Sequence, residues 1–118
     1  MKIVLMMLTI AAALAFTTTD HLSGRWESKS SVNGHTTGIL FKADTSFEAY
    51  IDRKPFVSGT YTFKDNIFSF VDNGCNGARG VYKIIFFSNA DSMRFQAISD
   101  SCIERKGGME RLTLGKVK

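Results

Sequence analysis

The sequence predicts an all-β protein: an eight-stranded antiparallel up-and-down barrel, small and lipocalin-like in plan, with one disulfide. Three observations carry this expectation: apolar and polar residues alternate in eight short segments, turn-forming residues separate those segments, and two cysteines fall at compatible positions. The alternation runs through GRWESKS (24–30), TGILFKA (37–43), SFEAYID (46–52), SGTYTFK (58–64), NIFSFVD (66–72), GVYKIIFF (80–87), SMRFQAIS (92–99) and MERLTLGKV (109–117). A period of two puts every second side chain on one face, so each segment has a face to bury. Beyond the first fifteen residues no apolar stripe of helical period is long enough to predict a helix.

The connections give the order of the strands. Asn33-Gly34 is a hairpin signal because both residues tolerate positive φ; Lys64-Asp65-Asn66 and Ser88–Asp91 are further tight turns. Short links make consecutive strands antiparallel neighbours, and closing the meander removes its two exposed edges. Successive turns then alternate between the two ends of the barrel. The connections at 31–36, 53–57, 72–78 and 102–108, with the lone proline, Pro55, between the third and fourth strands, share one end and are the longer ones. That end is expected to be loop-rich and open.

Cys75 and Cys102 both fall at the loop-rich end, so a bond between them needs no rearrangement of the meander. An even cysteine count in a short exported chain predicts a disulfide, which at this loop size contributes about 3 to 4 kcal/mol in the chain-entropy model. A metal site lacks ligands, since His21 and His35 are remote from either cysteine and no CxxC spacing occurs. No metal and no cofactor are predicted.

The chain opens with Lys2, the apolar run IVLMMLTIAAALAF and the small-residue site Ala13-Leu14-Ala15. This is the pattern of a signal peptide over residues 1–15, leaving 16–118 as one barrel domain, secreted or periplasmic. The apolar run is short for a bilayer and no second one follows, so no membrane span is expected in the mature chain. Lys and Arg number 15 against 11 Asp and Glu, and the two signs intersperse, which argues against a nucleic-acid partner.

Gly24-Arg25-Trp26, opening the first strand after a short arm, resembles the Gly-X-Trp signature of the lipocalins and their calycin relatives. The resemblance covers residues 22–118 in strand number, order and loop alternation. It implies that Trp26 plugs the floor of the barrel, with Gly24 as its structural companion, and that an arginine near the last strand packs across the ring, a point at which this sequence departs from the family. Lys116 stands at that level, with Arg94 the nearest arginine. Two weaker likenesses exist: LSGRW with SGTY is similar to the start of avidin-type barrels, and GCNGARGVY is similar to a stretch of the META/HslJ-like domain.

The resemblance implies an exported carrier that binds a small apolar ligand inside the barrel. Phe63, Phe86 and Phe95, with Phe47, Phe68 and Phe70, would supply its wall, and the hydroxyls of Tyr61 and Tyr82 its polar anchors. Arg53 and Arg105, at the open end, would pair with an acidic head group. The chain is shorter than a typical lipocalin and lacks its flanking helix, so the same rings could instead fill the barrel. The alternative is a protein-interaction or inhibitor module that uses the open-end loops. Enzyme chemistry is not expected: no Gly-X-Ser-X-Gly, His-Glu-X-X-His or phosphate loop occurs, and Glu27, Glu48 and Asp52 alternate with apolar residues and so point outward.

Overall fold

The computed structural model describes residues 22–28 and 34–118; the signal-like segment 1–15 and Asn33 lie outside the described residues. The chain runs through β1 (Gly24–Ser28), β2 (Thr37–Phe41), β3 (Ser46–Ile51), β4 (Lys54–Lys64), β5 (Ile67–Asp72), β6 (Gly80–Phe87), β7 (Ser92–Asp100), α1 (Ile103–Glu110) and β8 (Thr113–Lys116). Each strand pairs antiparallel with the next, and β8 returns to β1, giving a closed barrel in sequence order.

Alternation sets the register. In β1 and β2 Trp26 faces Ile39, and in β2 and β3 Phe41 faces Phe47, so inward positions meet inward positions around the wall. The buried set includes Trp26, Phe41, Phe47, Tyr61, Phe68, Phe70, Tyr82, Ile84, Met93, Phe95 and Leu114, drawn from every strand. The hairpins between β3 and β4 and between β4 and β5 turn on pairs with positive φ, Asp52-Arg53 (52° and 69°) and Asp65-Asn66 (53° and 65°). Such pairs match the right-handed twist of the flanking strands.

Two sequence expectations are corrected. The 53–57 connection is not a long loop, because β4 begins at Lys54 and contains Pro55. Pro55 is tolerated because the register slips between Ala49 and Tyr50, and because β5 pairs with β4 only from Gly59 onward. The eighth strand is confined to Thr113–Lys116, and Met109 and Glu110 belong to a helix that the alternation did not reveal.

The floor of the barrel is built around Trp26. Trp26 is fully buried, and its indole N–H donates to the Leu22 carbonyl at 2.9 Å. The Lys116 ammonium lies 4.9 Å from the centre of the ring and donates to the Ser23 carbonyl. Gly24 makes this possible: its φ is +119°, and a Cβ there would lie 3.0 Å from Lys116 Nζ. Replacing Trp26 by Ala removes packing on every side of the ring and is expected to cost about 3 to 5 kcal/mol in urea unfolding.

Candidate functional site

The rings expected to line a pocket pack on one another instead. Tyr61, Tyr82 and Phe95 are buried, and Phe63 and Phe86 pack against the same core. Ring centres lie 6.2 Å apart for Trp26 and Phe86, 6.2 Å for Phe63 and Phe86, 4.9 Å for Phe68 and Phe70, 6.0 Å for Phe68 and Phe95, and 6.1 Å for Tyr82 and Phe95. These separations are those of direct aromatic contact. Both tyrosine hydroxyls are also committed, Tyr61 donating to the Lys42 carbonyl at 3.2 Å and Tyr82 donating to the Asp100 carboxylate.

The end opposite the floor is closed by a polar cluster. Arg105 grips Asp100 with two bonds, Nε to Oδ2 and Nη2 to Oδ1, both 2.9 Å. Its Nη2 also donates to the Ala78 carbonyl at 2.9 Å, and Nη1 lies 3.4 Å from Asp72 Oδ2. The guanidinium carbon sits 4.7 Å from the centre of the Phe70 ring, so the charge rests on the top of the aromatic column. Gly80 leaves room for the cluster, since a Cβ would lie 2.9 Å from Phe70 and 3.1 Å from both Arg105 and Asp100. Arg105, expected at the open end to pair with an acidic head group, has a side chain only 9 % exposed, and the Asp100 side chain is fully buried.

Burial alone would raise the Asp100 carboxyl. The bonds from Arg105, from the Tyr82 hydroxyl and from the Cys102 amide (2.9 Å) outweigh it and hold the group below its ordinary range. Tyr82 is pushed upward, first by burial and then by its bond to Asp100, so its hydroxyl stays protonated.

The disulfide Cys75–Cys102 joins the two connections that carry this cluster, with the Cα atoms 5.9 Å apart. Asp72 and Ala78 flank Cys75, whereas Asp100 and Arg105 flank Cys102. Cys102 is also the N-cap of α1, to which it offers no side-chain acceptor. Gly107 and Gly108 stand inside the helix, and neither is needed for space: a Cβ would be 3.5 Å from Arg111 Nη1 at the first and would meet nothing at the second. The helix is held by Arg105, by the disulfide and by Met109 packing on the core. Its local sequence opposes it.

The described residues shape surface grooves outside the barrel. One, of about 240 Å³, follows the β3–β4 irregularity along Tyr50, Pro55, Phe56 and Asn73. The larger, about 730 Å³, runs over the outer wall of β1, β2 and β3, between Arg25, Glu27, Thr36, Gly38, Tyr50, Asp52 and Arg53. Glu27 and Tyr50 are the register partners of Gly38 on either side, so the glycine forms a floor between two walls. Of the predicted site residues, Arg53 alone lines this groove.

At one end of the groove Asp52 accepts the Thr36 amide at 2.9 Å and contacts His35 Nδ1 at 2.6 Å. The amide first, and the imidazole second, lower the Asp52 carboxyl. Among the described residues no hydroxyl or thiol is bonded to the second nitrogen of His35, and no three His, Cys, Asp or Glu side chains gather as metal ligands. Tyr50 is fixed by donating to Glu48, which also accepts Lys42 at 2.8 Å. The sequence pointed to rings and rim cations. The signal for the groove was the unexplained glycine at 38 inside an alternating strand.

Comparison with protein-family models, with curated proteins and with solved structures finds no match to this chain.

Three outcomes follow for the polar cluster and its helix. Arg105→Met strands two carboxylates and is expected to cost about 3 to 5 kcal/mol, measured by denaturant unfolding at neutral pH. Because the folded Asp100 carboxyl lies below its unfolded value, its contribution is complete above about pH 5 and is lost as pH falls through the folded value; a pH series of unfolding curves shows this loss, and Arg105→Met moves it to higher pH. Gly107→Ala and Gly108→Ala are each expected to stabilise by about 0.5 to 1 kcal/mol, read as a rise in the unfolding midpoint.

Proposed function

We propose that this protein is an exported, non-enzymatic recognition module whose barrel interior is structural and whose ligand binds on the outside. The observation that carries this reading is the commitment of the predicted pocket residues: the rings pack on one another, both tyrosine hydroxyls have internal acceptors, and Arg105 is sealed in an ion pair. The larger groove, on the outer wall of β1 to β3, reaches Thr36 and the Asp52-Arg53 turn, at two of the connections expected to meet a partner.

Export is supported by the signal-like start and by a disulfide, which persists in oxidising compartments. Among the described residues no helix is long and apolar enough to cross a membrane. A lipocalin-like relationship is supported by Gly24-Arg25-Trp26 opening β1 and by a cation lying across the indole, here Lys116 where the resemblance places an arginine.

Titration of the purified protein with a fluorescent fatty acid tests this reading against the carrier. The expected result is no saturable binding at micromolar concentration. Saturable binding that is weakened in Tyr82→Phe, a change that keeps the ring, would return the ligand to the interior and overturn the proposal.

A further inference from the structure

We infer that the outer wall of β4 to β7 docks on an anionic lipid surface, with Lys64, Arg79, Lys83 and Arg94 meeting headgroups while the apolar side chains between them enter the interface. This wall lies apart from the grooves described above, and its role goes beyond the recognition reading.

Folding sorts charges that intersperse along the chain. Of the carboxylates between Lys54 and Asp100, Asp72 and Asp100 are enclosed with Arg105, their side chains 5 % and 0 % exposed, and Asp91 pairs with Lys118 at 3.0 Å. That leaves Asp65, in the β4–β5 turn, at the border of the wall. The helix at the open end adds Glu104 and Glu110 but is followed or interleaved by Lys106 and Arg111, which balance them. On the wall itself Lys64, Arg79, Lys83 and Arg94 are all exposed. Among the described residues the side chains of Lys64, Lys83 and Arg94 make no hydrogen bond, ion pair or ring contact, and Arg79 keeps its charge at the surface while donating to Ser69 Oγ at 2.9 Å. Lys64 and Lys83 share one row of the sheet through Ile67, roughly 10 Å apart. Lys83 stands opposite Gln96, which makes Arg94 its diagonal neighbour at about 7 to 8 Å. An excess of one sign over such a span favours an extended anionic surface.

The second observation is apolar. An antiparallel wall that faces water ordinarily carries polar residues at its outward positions. Here the inward residues are Phe68 and Phe70 on β5 and Tyr82 and Ile84 on β6, so Ile67, Val71, Val81 and Ile85 point outward. On β7 the register slips opposite Val81 and Tyr82, which leaves Ile98 as the extra residue, 56 % exposed. A soluble polyanion would occupy the cations and leave these side chains without a role. A membrane surface takes both, since apolar groups enter the headgroup boundary as cations meet the anionic lipids.

The place of Lys83 separates a membrane from a protein partner. Val81 and Ile85 flank it on the same face of β6, and Ile67 lies across from it on β5. Lysine is depleted from the desolvated centre of protein interfaces. At a membrane its stem lies along apolar surface while the ammonium reaches the headgroups.

The test is co-sedimentation of the purified protein with vesicles of phosphatidylcholine and phosphatidylglycerol in equal parts, with pure phosphatidylcholine vesicles and soluble heparin alongside. The expected result is binding to the mixed vesicles that weakens as salt rises, and none to the neutral ones. A spin-labelled lipid is then expected to broaden the amide signals of β5 to β7 and to spare those of β1 and β2. Lys64→Gln, Lys83→Gln and Arg94→Gln are each expected to weaken binding about fivefold at an unchanged unfolding midpoint. Lys42→Gln, beyond β2 on the far side of the barrel, leaves it unchanged. Ile98→Ser is expected to weaken vesicle binding without altering its salt dependence. No binding to the mixed vesicles, equal binding to both kinds, capture by heparin alone, broadening centred on β1 to β3, or full binding by the three glutamine variants would overturn the inference. Fatty acid binding inside the barrel would overturn the recognition reading and leave this one.

Discussion

The guanidinium of Arg105 is the contact on which the upper half of this barrel depends. It lies on the Phe70 ring, grips Asp100 with two bonds and reaches the Ala78 carbonyl and Asp72, so it ties together β5, the β5–β6 connection, β7 and α1. A desolvated ion pair is costly to create, and its attraction offsets that cost only where geometry and further bonds complete the coordination. Here they do, because Tyr82 and the Cys102 amide supply the remaining donors to Asp100. The disulfide holds the same two connections covalently, which keeps the partners in place against the weak helix between them.

With this cluster at one end and Trp26 and Lys116 at the other, the column of rings leaves, among the described residues, no buried polar side-chain atom without a partner. An eight-stranded barrel is just wide enough for its inward side chains to fill, here the rings together with Ile39, Ile84, Met93 and Leu114. The surface is then where chemical specificity can reside, and the wall over β1 to β3 carries a cleft bordered by charged side chains of both signs.

The strands were legible because a period of two survives in short segments: Trp26, Ile39, Phe47, Tyr61, Phe70, Tyr82, Phe95 and Leu114 all fall on the inward face. The cysteine pairing was legible because alternate turns share an end. The helix was not, because Ile103–Glu110 has no apolar stripe and contains Gly107 and Gly108; tertiary anchors form it. The Asp52-Arg53 turn was hidden by Pro55, which looks like a break until the strand irregularity and the absent β5 neighbour are seen. Arg105 was placed at the rim because a charged residue in a loop is ordinarily solvated, and nothing local announces that Asp72 and Asp100 will enclose it. Gly38 acquires meaning only once Glu27 and Tyr50 are known to flank it.

The seam of the barrel governs the order in which it can fold. β8 meets β1 through Trp26 with Lys116, Glu27 with Gly115 and Ser28 with Leu114, and the Lys116 ammonium bonds Ser23 across 93 positions of chain. Hairpins from β2 to β7 can form as soon as each is made, but β1 has only one neighbour until β8 arrives. Such distant pairing carries a large loop-closure entropy and slows folding relative to local contacts. Until closure, the indole of Trp26 lacks its cationic cover and β1 presents an unpaired edge, the template for association between chains. A nascent copy is therefore most vulnerable to aggregation between the formation of β7 and the docking of β8, and any factor that retains it unfolded until synthesis has passed Lys116 shortens that interval.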